Sequence, residues 1–396
     1  MTNLREFGGA VTTTLQGMPS RPGPSLVTIT ALAGVVAVFI CVTAMVVGFT
    51  EAAVKGARLD RAIILSREAV SEAESQLSRD STLEILNAEQ IRRDRDGKPI
   101  ASADTIAFVR LIDRHTQFDS FATVRGVGPS TSSLRPEIQI KEGRMFRPGL
   151  QELIVGRSAQ RRFSDVDIGA HIYLSQGDAW TVVGVFESNG SLHESEMLTD
   201  AETLLSSLQR SSFSSVTVLL PAPDSFDAFK AALLTNPNLS VEVKRETQYF
   251  TEIAGPRARL MSLIAYAVGG IMVFGAFFAA LNASYSAVAA RSSEVGILRA
   301  IGFSGYAVLF SVLIEALLLA CIGAAIGAAI AWFFFNGNSI STLSGGSPTP
   351  ITYYLHITPS LITIGAAAAC LIGLLGGLIP GTRAATLPIA RVINSK

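Results

Sequence analysis

Three long stretches of the chain are free of Asp, Glu, Lys and Arg, and they constrain the fold more than any other feature. They cover 22–50, 260–290 and 316–382 of the 396 residues. A helix of about 20 apolar residues spans the ~30 Å hydrocarbon core of a bilayer. The sequence therefore predicts four membrane-spanning helices, with apolar cores at Ser25–Phe49, Leu260–Ala280, Ala307–Phe335 and Leu361–Ile379.

The segment between the first two spans has the charge density of a soluble domain. Residues 51–259 contain 25 Lys and Arg and 29 Asp and Glu, whereas only 16% of the whole chain is charged. The zero net charge of the chain therefore combines uncharged segments suited to lipid with a charged segment suited to water. The predicted fold class is a membrane protein with four transmembrane α-helices plus an α+β extracytoplasmic domain inserted between helices 1 and 2.

The apolar runs and their flanks divide the chain into predicted segments. The first apolar core is about 24 residues long and follows Arg21, so it is too long for a cleaved signal peptide and is expected to be an anchor. The segments are a cytoplasmic N-terminal segment 1–24, helix 1 at 25–50, the external domain 51–255, helix 2 at 256–288, a cytoplasmic segment 289–305, helix 3 at 306–335, an external loop 336–360, helix 4 at 361–379 and a cytoplasmic tail 380–396.

The positions of Lys and Arg predict the orientation, because short cytoplasmic segments carry an excess of these residues. The loop between the third and fourth spans has none. We therefore expect both termini inside and the large domain outside. The basic residues on the predicted inner side are Arg5, Arg21, Arg291, Arg299, Arg383, Arg391 and Lys396.

Alternation of apolar and polar residues predicts a strand-rich external domain. Helices are expected at Ser71–Arg79, from an N-cap at Asp224 to Leu234, and from Thr247 into the second span. Asp94–Pro99 is expected to be a turn. The expected strands are Ala62–Leu65, Thr105–Ile112, Ala122–Val127, Glu137–Ile140, His171–Leu174, Trp180–Phe186, Ser215–Leu220 and Ser240–Lys244.

Catalytic motifs are not found in the sequence. No G-x-x-x-x-G-K-[ST] loop is present to hold the phosphates of ATP, and no H-E-x-x-H zinc motif is present. The four histidines are scattered, so each is expected at the surface or in a loop rather than on a metal. Cys41, Cys321 and Cys370 all fall in predicted spans, which leaves no disulfide for the external domain. The sequence therefore predicts that the chain is not an enzyme and binds no cofactor or metal.

The segment Arg291–Ser304 follows the second span directly on the predicted cytoplasmic side. Val295, Leu298 and Ile301 share one face of a helix, and polar residues lie off that face. This pattern fits a short helix lying against the membrane, and it fits a plain interhelical turn equally well.

Several motifs resemble the FtsX/MacB-type permeases of ABC transporters. The signature is Ser293–Gly302, followed by Leu313–Leu319 and Gly323–Gly327, and the end of the chain from Pro380 to Ala390 is similar to that of the family. The external segment resembles the MacB-like periplasmic core domain at Gly143–Phe146, Ile154–Gly156, Ile168–Gly169 and Trp180–Phe186.

The resemblance implies a mechanism, a location and partners. Two permease subunits pair in the bacterial inner membrane, and each contacts a cytoplasmic ABC ATPase that binds ATP and Mg²⁺. The segment after span two is the coupling element, and the large domain is periplasmic. A periplasmic adaptor and membrane lipids are further expected partners. By position, Glu294, Gly296, Arg299 and Gly302 would lie in the coupling element.

Small residues four positions apart allow helices to approach closely in lipid. The positions expected to pack in this way, within one subunit or across a dimer, are Gly275, Gly323, Gly327, Gly373 and Gly377. Glu315 is a carboxylate within a span, which makes it a functional candidate. Three roles are open for it: a structural polar contact, snorkelling to the interface, or coupling. The polar segment Ser188–Glu196 is expected to be an exposed loop that either binds a ligand or simply connects strands.

Two functions follow from these observations. The first is a transport subunit whose external domain moves when a separate ATPase hydrolyses ATP and thereby drives export. The alternative is a membrane-anchored regulator that uses the same movement to activate a cell-wall enzyme. The size of the external domain favours transport. Small-residue helices without a continuous polar face favour a lever over a conduit.

Overall fold

The computed structural model describes residues 22–175, 178–290, 295–296, 304–343 and 350–386. The chain forms two compact units. The first, the membrane unit, contains residues up to Val47, Met261–Asn338 and residues from Leu355 onward. The second, the external unit, contains Gly48–Leu260 and Ser339–Tyr354.

The elements follow in chain order as α1 (Pro22–Val54), β1 (Arg61–Ser66), α2 (Arg79–Leu86), β2 (Ala101–Ile112), β3 (Asp119–Val127), α3 (Thr131–Leu134), β4 (Gln139–Gly143), β5 (Glu152–Gly156), α4 (Arg157–Arg162), β6 (His171–Ser175), β7 (Asp178–Glu187), β8 (Glu196–Asp200), α5 (Ala201–Ser207), β9 (Ser215–Leu219), α6 (Phe226–Thr235), β10 (Val241–Arg245), α7 (Glu246–Ala290), α8 (Gly305–Phe335), β11 (Ser339–Leu343), β12 (Pro350–Tyr354) and α9 (Pro359–Ala385).

Among the described residues, four helices are long and apolar enough to cross a membrane, and they are α1, α7, α8 and α9. They confirm the predicted fold class. Helix α7 has 45 residues, more than twice the ~20 that a bilayer core requires. Its first residues, 246–260, belong to the external unit, and the rest belongs to the membrane unit.

Glycines allow the helices of the membrane unit to pack closely. A methyl group added to Gly323 would come within 2.9 Å of Leu32 Cβ, and one added to Gly327 would overlap the Ala33 carbonyl oxygen. The corresponding additions at Gly373 and Gly377 would meet Ala320 Cβ at 2.8 Å and Ala316 Cβ at 3.0 Å. These four glycines therefore lie where α8 contacts α1 and α9.

Gly275 has a different environment. A methyl group built on it meets no described atom of the chain within 4 Å. Gly275 is therefore not at a close contact with another helix in the described part of the chain. Glu315, on α8, is buried within the membrane unit.

The external unit is built on a ten-stranded sheet with the strand order β10-β1-β9-β2-β3-β8-β5-β7-β4, in which β6 also pairs with β7. Most neighbours are antiparallel, whereas β3 is parallel to β8 and β5 is parallel to β7. The two largest apolar cores of the described residues form on this sheet. Strands β1, β9 and β10 pack with α2 and α6, and strands β2, β3, β5, β7 and β8 pack with α4 and α5.

Some local predictions were wrong. Ser71–Arg79 is not a helix, because Ser78 caps α2, which begins at Arg79. Helix α6 begins two residues after Asp224, which lies in a short 3₁₀ turn instead of at the N-cap. The predicted loop 336–360 contains the antiparallel pair β11–β12.

The β11–β12 hairpin packs on the external unit. Tyr353 is almost fully buried and meets the edge of Phe49, with 5.8 Å between ring centroids. A methyl group on Gly48 would come within 3.1 Å of the Tyr353 ring, so the hairpin lies directly on the backbone of α1. Arg161 donates a hydrogen bond of 2.8 Å to Tyr354 Oη.

The contrast between Gly327 and Gly275 predicts unequal effects of the same substitution. Gly327→Ala should lower the free energy of unfolding by about 1–3 kcal/mol, because the added methyl group overpacks a close helix contact. Gly275→Ala is the matched control and should leave the stability of the single chain unchanged. Thermal unfolding in mild detergent, followed by circular dichroism, measures both. Equal destabilisation by the two changes would contradict the packing described here.

Candidate functional site

The first residue of α7, Glu246, is fully buried in the external unit. Its carboxylate accepts three hydrogen bonds. Arg135 Nη1 donates at 2.6 Å, the backbone N–H of Arg58 at 3.0 Å and Arg61 Nη1 at 3.3 Å. A carboxylate at a helix N-terminus is also stabilised by the unpaired N–H groups of the first turn. The start of α7 is therefore held by two guanidinium groups and one backbone N–H group.

Arg61 connects this carboxylate to the segment that follows α1. Its guanidinium is fully buried and donates two hydrogen bonds to Glu137, at 2.7 and 2.8 Å. The same group donates to the carbonyl oxygen of Gly56 at 3.1 Å. Gly56 has a φ of +90°, which favours glycine, and it lies just beyond the end of α1. The chain segments after α1 and before α7 thus share one ion cluster.

A second buried guanidinium, that of Arg125, lies on β3. It donates to both oxygens of Glu72 at 2.8 and 3.0 Å and to both oxygens of Glu196 at 2.8 and 3.0 Å. Asp104 lies 3.3 Å from Arg125 Nη1. The hydroxyl of Ser215 donates to Glu72 at 2.6 Å. Paired hydrogen bonds of this kind fix the angle as well as the distance between partners.

Tyr249, one turn into α7, joins the second cluster to the same helix. Its hydroxyl oxygen accepts a hydrogen bond of 2.9 Å from the backbone N–H of Glu72. Its ring is buried against Ile63 and Leu65 of β1. We call the two clusters together the junction network. Its charged members are Arg61, Glu72, Asp104, Arg125, Arg135, Glu137, Glu196 and Glu246.

The junction network holds more carboxyl groups than guanidinium groups, and the pKa values of its carboxyl groups shift in different directions. Burial opposes ionisation of Glu72 and Glu196, but the charge and hydrogen bonds of Arg125 outweigh it, so the pKa of each carboxyl lies below its ordinary value. Burial is also the largest effect at Asp104, where Arg125 and Arg135 offset it only in part. The pKa of Asp104 is therefore raised.

The segment Ser188–Glu196 is not the exposed loop that its composition predicts. Ser188, His193 and Glu194 are buried. Glu194 accepts hydrogen bonds from the backbone N–H groups of Ser188 and Gly190, at 3.0 and 2.8 Å. His193 Nδ1 lies 3.0 Å from Glu196, so His193 extends the junction network and is not a surface histidine.

The remaining predicted residues fall elsewhere. Glu294, Arg299 and Gly302 lie outside the described residues, and Gly296 is helical and buried. Among the described residues, no group of three or more His, Cys, Asp or Glu side chains is arranged to hold a metal ion.

Sequence reasoning missed the junction network. One signal was present in the chain, namely Arg125, the only charged residue of the strand segment Ala122–Val127. A charged residue in a buried strand requires a partner. The partner itself could not be read from the sequence, because Glu72 lies 53 residues away.

Removal of the Glu246 carboxylate should weaken the junction network strongly. Glu246→Ala is expected to lower the local free energy of opening by about 3–5 kcal/mol, since it leaves buried Arg135 without its partner. Glu252→Ala, in the same helix, is the matched control. Its pair with Lys244, at 2.9 Å, is exposed on the Glu252 side and contributes at most about 1 kcal/mol. Hydrogen exchange of the full chain at residues 58–64 and 246–252 measures the difference, and similar protection in both variants would contradict it.

The raised pKa of Asp104 predicts a pH dependence. An unfolded Asp ionises near pH 4, whereas folded Asp104 ionises at higher pH. The stabilising effect of the protonated group is therefore lost as the pH rises through the folded pKa. The stability of Asp104→Asn relative to the unmodified protein should accordingly increase with pH. Thermal unfolding across pH 4–8 measures this slope, with exposed Asp96→Asn as control. A flat difference would refute the prediction.

Two family models match the chain. Residues 25–235 match the MacB-like periplasmic core domain, and residues 266–389 match the FtsX-like permease C-terminal domain. None of the curated proteins matches the sequence significantly.

Among the solved structures, two cover slightly less than half of this chain at low sequence identity. One is the extracellular domain of the noncanonic ABC-type transporter YknZ from Gram-positive bacteria, with 17% identity, a TM-score of 0.35, and coverage of 46% of this chain and 99% of that chain. The other is a domain assigned to a permease protein from Porphyromonas gingivalis, with 16% identity, a TM-score of 0.29, and coverage of 46% and 85%.

The core-domain model alone covers more than half of the chain, and the second model covers α8, α9 and most of the apolar part of α7. Permeases of this type are transmembrane components whose ATPase site lies on a partner. The chain belongs to the FtsX/MacB-type permeases of ABC transporters and is a membrane protein with an external domain.

Proposed function

We propose that this permease converts ATP hydrolysis by a separate cytoplasmic ATPase into movement of its external domain, and that this movement drives export of a substrate. The observation that supports the proposal is the junction network. Two long apolar helices, α1 and α7, continue into the external unit, and the chain at both ends enters one buried cluster of charges.

A buried ion network favours transmission of a helix movement to the external unit over local deformation of the connection. Displacing the start of α7 would separate the Glu246 carboxylate from Arg135 and Arg61 in a low-dielectric interior. Breaking one such buried pair costs about 3–5 kcal/mol. A connection without buried ion pairs would deform at a lower free-energy cost. The external unit is therefore expected to follow a movement of either helix as one body.

The other parts of the mechanism are assigned by position. Glu294, Gly296, Arg299 and Gly302 would form the coupling element that contacts the ATPase, and ATP and Mg²⁺ would bind on that partner. We propose that a second copy of the chain completes the membrane assembly, with lipids around it, and that an adaptor engages the external domain. We also propose that both termini lie in the cytoplasm and that the protein lies in the bacterial inner membrane.

Affinity purification from mild detergent tests the coupling element. An ABC ATPase should co-purify with the unmodified protein and be lost from the double variant Glu294→Ala, Arg299→Ala. The matched control is Arg391→Ala with Lys396→Ala, which removes charges on the same predicted side of the membrane and should retain the ATPase. Failure to recover an ATPase under any nucleotide condition would refute the proposal.

A second measurement tests transmission through the junction network. With the native cysteines replaced, spin labels at exposed position 118 of two copies should change their separation when ATP is added. Glu246→Ala should retain the ATPase yet lose most of this change, whereas Glu252→Ala should behave like the unmodified protein. Co-purification of a cell-wall hydrolase, without export, would favour the regulator over the transporter.

A further inference from the structure

The external unit contains a cleft that the junction network does not use. Its volume is about 390 Å³, and it opens between α2 and the start of α5. The cleft walls are largely apolar and include Leu83, Leu86, Ala103, Val127 and Phe213. Small-molecule sites are commonly apolar clefts of about 300–1,000 Å³ with a few polar groups, so this cleft lies near the smaller end of that range.

Most charges on the cleft wall already have partners. Arg79 donates two hydrogen bonds to Glu202, at 2.8 and 2.6 Å, across the mouth. Asp200 accepts hydrogen bonds from the backbone N–H and the hydroxyl of Thr203, at 2.9 and 2.6 Å, and thereby caps α5. These three side chains are therefore satisfied without a ligand.

Lys98 is the exception on this wall. It is exposed, and no carboxylate lies within ion-pair distance of it among the residues that the structure describes. The turn that carries Lys98 is also rich in positive charge, since Arg92, Arg93 and Arg95 accompany only Asp94 and Asp96. Asp94 already accepts the backbone N–H groups of Asp96 and Lys98, at 2.9 and 2.8 Å. The lining also carries two carboxylates, Asp200 and Glu202, so positive charge is confined to the Lys98 side of the mouth, where it attracts anions.

We propose that this cleft binds a small amphipathic anion, whose acidic group pairs with Lys98 and whose apolar body lies against Leu83 and Phe213. A single apolar chain suits the modest volume better than a two-chain lipid. The inference goes beyond the proposed function, because binding at this cleft requires neither the ATPase nor export.

Photolabelling of the full chain in mild detergent tests the proposal. The probe is a medium-chain fatty acid that carries a diazirine at mid-chain, and mass spectrometry maps the labelled peptides. Label is expected on residues 79–86 and 98–103, and unmodified fatty acid should compete for it. Label confined to the membrane-spanning helices would overturn the proposal.

Two pairs of variants separate the acidic group from the apolar body. Lys98→Gln should raise the concentration of unmodified fatty acid that halves the labelling by about fivefold or more, because a charge-assisted contact is lost. Exposed Lys141→Gln should not change it. Ala103→Trp should abolish labelling of the cleft by filling it, whereas Ala232→Trp, on the exposed side of α6, should not.

Leu83→Asp is a second variant of the cleft, in case Ala103→Trp loses labelling only because it does not fold. Leu83 is 57% exposed, so the change is tolerated by the fold, and its negative charge should repel the acidic group. Unchanged thermal unfolding with lost labelling supports the proposal. Retained labelling in Leu83→Asp and Ala103→Trp, or an equal effect of the two lysine variants, refutes it. Labelling of the cleft by a neutral analogue as strong as by the acid also refutes it.

Discussion

The external unit depends on one carboxylate that is placed where a helix begins. Glu246 has no contact with water, yet three donors from two other segments and the N-terminal end of α7 satisfy it. A buried charge without such partners would be costly, so the start of α7 depends on Arg61 and Arg135. The direction in which the chain enters α7 is therefore fixed by these charges together with the apolar packing of Tyr249 on β1.

The junction network also fixes the segment that follows β1 to the middle of the sheet. Arg125, on β3, contacts Glu196 of the neighbouring strand β8 and Glu72 of the segment after β1. Strands β3 and β8 belong to one core, and the hydrogen bonds to Glu72 attach the segment that follows β1 to these strands. Apolar contacts are non-directional and would tolerate sliding, whereas paired hydrogen bonds have fixed geometry. The network has more carboxyl groups than guanidinium groups. Burial raises the pKa of Asp104, so its neutral form is favoured and a further buried negative charge is avoided.

The sequence predicted the features that depend on local periodicity. Four spans followed from runs without charge, and β2 and β3 followed from alternation at Thr105–Ile112 and Ala122–Val127. The predictions failed where distant partners decide the conformation. Ser188–Glu196 has the composition of a solvated loop, but its polar groups are satisfied by each other and by Arg125. Arg61 and Glu246 lie 185 residues apart, so no local pattern could pair them.

The β11–β12 hairpin shows that the external unit is not one continuous stretch of sequence. Residues 48–260 alone lack Tyr353, which covers Phe49 and the backbone of Gly48. A soluble fragment cut at these boundaries would expose an aromatic surface that the intact chain keeps dry. Crystallography or binding studies on such a fragment should therefore graft residues 339–354 onto it, or supply them as a separate peptide.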